Sequence, residues 1–163
     1  MASEIGVQTI QHTNGTTAFT VNSSGYVARA KNAAFLAHTP SDATHDQDNV
    51  LGWDTEVFDT DSCFVPSTGL YTAPVNGIYC FNACILINAT DAFGLGLFYK
   101  NGANLVSFQS FSTGGVNRSS GVASMTAEMN ASDTMGIYWY GSSYGQAYKG
   151  TYSHFSGHLL AAT

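Results

Sequence analysis

From about residue 33 to its end the sequence nowhere holds an apolar face at helical spacing for more than two turns. It runs instead through short alternating segments cut by Gly, Asn and Pro: AAFLAHT, WDTEVFD, GLYTAP, GIYCFNACILI, FGLGLFYK, NLVSFQSFS, RSSGVASMTAEM, TMGIYWYG and TYSHFSGHLL. About eight to ten short strands, with a turn roughly every 8–12 residues, make a two-sheet sandwich or a barrel. Alternation alone does not choose among immunoglobulin, jelly-roll and barrel forms. The last stretch, TYSHFSGHLLAAT at 151–163, sharpens the picture. Chain ends are ordinarily polar and loose, so aromatic and aliphatic residues this late predict a final strand locked in the middle of a sheet. Period-two alternation puts Phe155, Gly157 and Leu159 on its core face and His154, Ser156, His158 and Leu160 on the other.

The first thirty residues read differently. In IGVQTIQHTNGTTAFTVNSSGYV, two strand-like runs flank Asn14-Gly15, a strong hairpin signal, and Ser23-Ser24-Gly25 makes a second turn. A lone hairpin is marginal in water. Residues 1–30 therefore read as an N-terminal β-hairpin arm that pairs with something outside itself, through Ile5, Val7, Ile10, Phe19 and Val21. Residues 31–163 read as one domain, a size that suits a single core.

Composition restricts the function. Only 10% of residues are charged while 44% are hydrophobic and 13% aromatic, against roughly 25% charged in an average soluble domain. Ser, Thr, Asn and Gly carry the polarity, as expected of a β-rich surface partly covered by partners. The net charge is −6, and the five basic residues, Arg29, Lys31, Lys100, Arg118 and Lys149, form no stripe. A nucleic-acid groove is not expected. No run of about 18 apolar residues predicts a membrane span. The start MASEIGVQTIQ lacks the basic and apolar regions of a signal peptide, so synthesis in the cytoplasm of a host is expected.

No motif survives as a catalytic or metal site. Cys80 and Cys84 share one strand and stand about 13 Å apart, beyond the roughly 7 Å reach of a disulfide. With Cys63 they read as buried free thiols. GSSYG at 141–145 fits a nucleophile elbow, but no helix pattern follows it and no Asp or Glu occurs from residue 134 onward. It reads as a loop. His45, Asp46 and Asp48 in THDQDN are metal-ligand types, but read as a solvated loop. Tyr138, Trp139 and Tyr140, with Tyr144 and Tyr148, are either a sugar-stacking platform or core and subunit contact. The expectation is no enzyme, no cofactor and no metal.

Several segments carry a specific resemblance. AAFLAH, VFDTDSCF, STGLYTAPVNGIYCFNA, LFYKNG, SDTMGIYWY and SHFSGHLL, within residues 33–163, resemble the globular head of complement component one-q, a trimeric jelly roll related to tumour necrosis factor. The central motif, a Gly-aromatic pair ahead of Pro-x-x-Gly-x-Tyr-x-Phe, falls on Tyr71, Pro74, Gly77, Tyr79 and Phe81, and the closing Phe-Ser-Gly-x-Leu-Leu motif on SHFSGHLL. Residues 1–32 hold no collagen-like Gly-x-y repeat, so a stalked form of the head is not expected. The opening MASEI and the hairpin NGTTAFTV resemble bacteriophage structural proteins that carry this domain.

The resemblance implies an all-β jelly-roll sandwich of about ten strands that assembles as a homotrimer. It implies that Tyr79, Phe81, Tyr138, Tyr140, Phe155, His158 and Leu160 form core and trimer interface. The functional expectation is a non-enzymatic structural protein on the exterior of a phage particle, either capsid decoration (cement) or a short tail-fibre component. Its partners would be its own copies and other virion proteins, such as the major capsid protein or a tail adaptor, with a host-surface glycan as a further candidate. The alternative is a free recognition module that binds glycan or protein ligands.

Overall fold

A computed structural model describes residues 6–29, 32–39, 48–88, 93–111, 118–141 and 150–163. The described residues contain strands and turns but no helix. The chain divides into two compact units, residues 1–32 and 33–163.

The first unit is a three-stranded antiparallel sheet of β1 (Thr9–Gln11), β2 (Thr17–Val21) and β3 (Val27–Arg29), in that order. Gly15, at φ +86°, sits in the first turn, where Asn14 Oδ1 accepts the Thr16 N–H at 3.0 Å. The second turn is built the same way. Asn22 Oδ1 accepts the N–H groups of Ser24 at 3.0 Å and Tyr26 at 2.9 Å, and Gly25 takes φ +83°. Such Asx turns reverse a chain without help from a core. The expected two-stranded hairpin is thus corrected to a meander, because the second turn folds residues 27–29 back onto β2. None of the described residues of this unit is buried.

The second unit is a two-sheet sandwich. One sheet holds five strands in the order β12 (Arg118–Met129), β9 (Gly77–Asn88), β14 (Gly150–Ala162), β4 (Ala34–Thr39) and β6 (Thr55–Asp59). The other runs β11 (Ala103–Phe111), β10 (Phe93–Lys100), β13 (Thr134–Gly141), β8 (Leu70–Thr72) and β7 (Phe64–Val65), with β5 (Asn49–Val50) also paired to β13. All pairings are antiparallel and most neighbours are distant in sequence, as in a jelly roll. The last strand, β14, lies at the centre of its sheet between β9 and β4.

Alternation fixes which side chains meet between the sheets. Along β9, Tyr79, Phe81, Ala83 and Ile85 are buried while Cys80, Asn82, Cys84 and Leu86 face outward. Phe155 on β14 is 0% exposed and packs among Phe35, Trp53, Phe64 and Phe81, with ring centroids 4.9 to 6.4 Å away. Phe35 also stacks on Phe64 at 4.6 Å and on Tyr71 at 5.1 Å. Gly157 is the position where β14 lets these rings close up: a Cβ there would stand 2.4 Å from the Phe81 ring.

One end of the sandwich is tied by a polar latch. The β10–β11 turn is Asn101-Gly102, both at positive φ. Asn101 Nδ2 donates to Asp133 Oδ1 at 2.7 Å and its Oδ1 accepts the Thr134 N–H at 2.7 Å. Asp133 Oδ2 accepts the Asn130 N–H at 2.9 Å and pairs with Lys100 Nζ at 3.0 Å. These bonds, from Asn101 first, then Asn130 and Lys100, hold the Asp133 carboxyl down at about 2. The KNG and SDT segments, separated by about thirty positions, thus form one joint.

Candidate functional site

The residues expected to form core and trimer interface divide between the interior and two outer faces. Tyr79, Phe81 and Phe155 are wholly interior to the sandwich. Tyr79 donates from its hydroxyl to the Val75 carbonyl at 2.8 Å, and burial raises its phenol pKa above the ordinary value. Burial raises Tyr71 further. Tyr79, Phe81 and Phe155 make up the core part of that set and hold the fold. Tyr138 and Tyr140 lie on the outer face of the six-stranded sheet, because Ile137 and Trp139 take the inward positions of β13. His158 and Leu160 lie on the outer face of the five-stranded sheet.

The outer face of the six-stranded sheet carries a short tyrosine strip. Tyr99 and Tyr138 are 5.0 Å apart between ring centroids, and Tyr140, 50% exposed, follows on the same face of β13. Partial burial raises the Tyr138 phenol, with smaller contributions from Asp48, Tyr99 and Tyr140. Asp48, at φ +59°, donates its backbone N–H to the Trp139 carbonyl at 2.8 Å and so stands beside the strip. His45, Asp46, Tyr144, Tyr148 and residues 142–145 of GSSYG lie outside the described residues.

The outer face of the five-stranded sheet carries exposed apolar residues together with His38, His154 and His158. Val122 is 71% exposed, and Val57, Phe58 and Leu160 are also exposed. Leu160 is the extra residue of a bulge opposite β9, which turns it away from the regular alternation. Cross-strand register places Cys84, His154 and His38 in one row over β9, β14 and β4, and Cys80 beside His158 in another. Cys63 is buried, but Cys80 and Cys84 are only half-buried, which corrects the expectation of three buried thiols. Cys84 Sγ donates to the Tyr152 carbonyl at 3.5 Å, and burial raises its thiol pKa.

A cavity of about 390 Å³ opens on this face, lined by Leu36, His38, Val57, Thr151 and His154. Two bulges frame it. Val57 is the extra residue of β6 opposite β4, and residues 151–153 are extra in β14 between the pairs Gly150–Thr39 and His154–His38. Ser153 is anchored inside by accepting the Leu86 N–H at 3.0 Å. Sequence reasoning missed this pocket, because a bulge leaves no mark in an alternating pattern.

In the first unit, Val7 and Ile10 are exposed and Phe19 and Val21 half-buried; Ile5 lies outside the described residues. Among the described residues no helix is long and apolar enough to cross a membrane. No group of three or more His, Cys, Asp and Glu among them is gathered closely enough to hold a metal.

Comparison with known proteins fits this architecture. The globular domain of zebrafish complement 1qA superposes with a TM-score of 0.68 at 19% identity, covering 82% of this chain and all of that one. Murine APRIL at pH 5.0 gives a TM-score of 0.65 at 9% identity, over 80% of this chain and all of that one. At these identities the likeness is one of fold. No curated protein gives a significant match. The family model for the C1q domain matches residues 34–160, from the first strand of the sandwich almost to the end of the last. The chain belongs to the C1q-domain family.

Proposed function

We propose that the protein is a non-enzymatic structural component of a bacteriophage exterior, a trimeric decoration or short-fibre unit held to the particle by its N-terminal sheet. The observation that carries this reading is the first unit: a three-stranded sheet in which no described residue is buried. A sheet without a core, exposing Val7, Ile10, Tyr26 and Val27, gains its stability by adding strands or apolar surface to a neighbour. Among the described residues, its outer strands β1 and β3 each leave one edge for such pairing. Self-association of the sandwich is supported by the family, whose heads form trimers, and by Val122, Phe58 and Leu160 on the five-stranded face.

Mass spectrometry of purified phage particles, with and without residues 1–32 in the encoded protein, tests this. Stoichiometric incorporation that depends on those residues supports the reading; full occupancy by the truncated chain, or absence of the intact chain from particles, refutes it. A second reading is a free recognition module, favoured by the Tyr99–Tyr138–Tyr140 strip on the other face. Planar rings with adjacent hydroxyls suit sugar faces as well as protein surfaces. Saturation-transfer NMR against a glycan panel separates the two.

A further inference from the structure

We propose that His38 and His154 form a two-imidazole site for a first-row transition cation of the zinc or nickel kind, inside the cavity on the outer face of the five-stranded sheet. The two residues are direct cross-strand partners on β4 and β14. Direct partners have Cβ atoms about 4.5–5.5 Å apart. Two nitrogens on one tetrahedral ion, at bonds of about 2.0–2.1 Å, need to stand about 3.3 Å apart, so rings leaning together from adjacent strands reach that spacing. Both rings are half-buried and both line the same cavity of about 390 Å³.

The His38 ring is already oriented. Its Nδ1 lies 3.0 Å from the Thr39 carbonyl oxygen, which can only accept, so Nδ1 carries the proton and Nε2 keeps its lone pair. A backbone carbonyl on the far nitrogen is the usual outer partner of a metal-binding histidine, and it fixes the tautomer that binds. The bulges at Val57 and at residues 151–153 open the sheet surface beside the pair. Bulges next to sites commonly re-aim side chains in this way. Leu36 and Val57 wall the cavity with hydrocarbon, and among the described residues no carboxylate or cationic side chain lines it. Calcium and magnesium want several oxygens and are poorly served, whereas imidazole suits zinc, nickel and copper.

No third His, Cys, Asp or Glu among the described residues joins the pair. The ion would therefore keep positions for solvent, with the Thr151 hydroxyl at the rim. Cys84 is the other cross-strand partner of His154, with its thiol donating to the Tyr152 carbonyl. His158 lies four residues further along β14, about 13 Å away, and faces Cys80 and Ala34 instead. Both ligands come from one protomer, so the inference does not depend on the trimer.

Isothermal titration of the full chain with zinc chloride, and separately with nickel and calcium chloride, tests the site. The expected result is one zinc or nickel ion per chain and no heat with calcium. His38→Gln and His154→Gln should each weaken binding by more than roughly tenfold, the lower end of what losing even an outer partner costs; His158→Gln should leave it unchanged. On the unmodified protein, long-range ¹H–¹⁵N NMR should show zinc shifting the ring nitrogens of His38 and His154 together, which needs no variant to fold. Absence of binding by the parent chain overturns the proposal. So does binding that survives both substitutions, or imidazole shifts confined to other histidines.

Discussion

Phe155→Ala is the substitution that most directly interrogates the sandwich. The ring is 0% exposed and is shared by both sheets, with centroids of Phe35 at 4.9 Å, Trp53 and Phe81 at 6.0 Å and Phe64 at 6.4 Å. Phe→Ala in a core costs about 3–5 kcal/mol, as lost transfer energy plus the cavity left behind. Stacked and edge-to-face aromatic pairs add about 0.5–1.5 kcal/mol each, and four ring neighbours place this site at the upper end, near 5 kcal/mol. Against a total domain stability of about 5–15 kcal/mol this removes a third or more. With a urea slope of about 2 kcal/mol/M the midpoint should fall by about 2 M or more. The assay is urea unfolding followed by tryptophan fluorescence, since Trp53 and Trp139 are both buried, at one fixed protein concentration because association shifts midpoints. Tyr140→Ala, on the outer face, should change stability by no more than about 0.5 kcal/mol if the protein is monomeric in the assay. A loss below about 1 kcal/mol for Phe155→Ala would mean that this ring does not sit between the sheets.

Three further outcomes follow from particular contacts. Gly157→Ala places a methyl 2.4 Å from the Phe81 ring and should cost about 1–3 kcal/mol by overpacking, read as a lower thermal midpoint. The Asp133 carboxyl is held at about 2 by Asn101, the Asn130 N–H and Lys100, below an ordinary value near 3.9. Its contribution is therefore present above about pH 4 and lost as pH falls through 2; thermal melts of Asp133→Asn should lose that slope, and an unchanged slope refutes the latch. Removing residues 1–32 should leave the near-ultraviolet circular dichroism and the melt of the remaining unit unchanged, since residues 33–163 form their own compact unit; a collapsed signal would refute that independence.

The all-β class was legible because β14 alternates in sequence while β9 is a long apolar run bounded by Gly77 and Asn88. The central position of β14 was legible from its hydrophobic end. Strands of two or three residues, β3, β5 and β7, were not, because so short a pairing is chosen by tertiary neighbours and not by propensity. Tyr79 and Phe81 were marked by a family motif, but a motif does not say whether an aromatic is kept for the core or for a contact; burial does. His154 was readable as an outward residue of its strand. Its partner His38 was not, since register between strands more than a hundred residues apart is set by the whole sheet.

The placement of β14 has a consequence for biosynthesis. A ribosome delivers this strand after every other strand of the domain, yet it is the piece that β9 and β4 both require as neighbour. Until it emerges, those two strands each present an open edge with unpaired backbone groups and apolar side chains. The domain therefore cannot complete itself before β14 emerges, and most of its strand pairing is long-range, which is slow. In that interval the nascent chain is open to strand exchange with its neighbours on the same messenger. A polysome making this protein holds many such edges close together, so the speed at which the segment encoding β14 is translated should govern how much of the product is recovered folded.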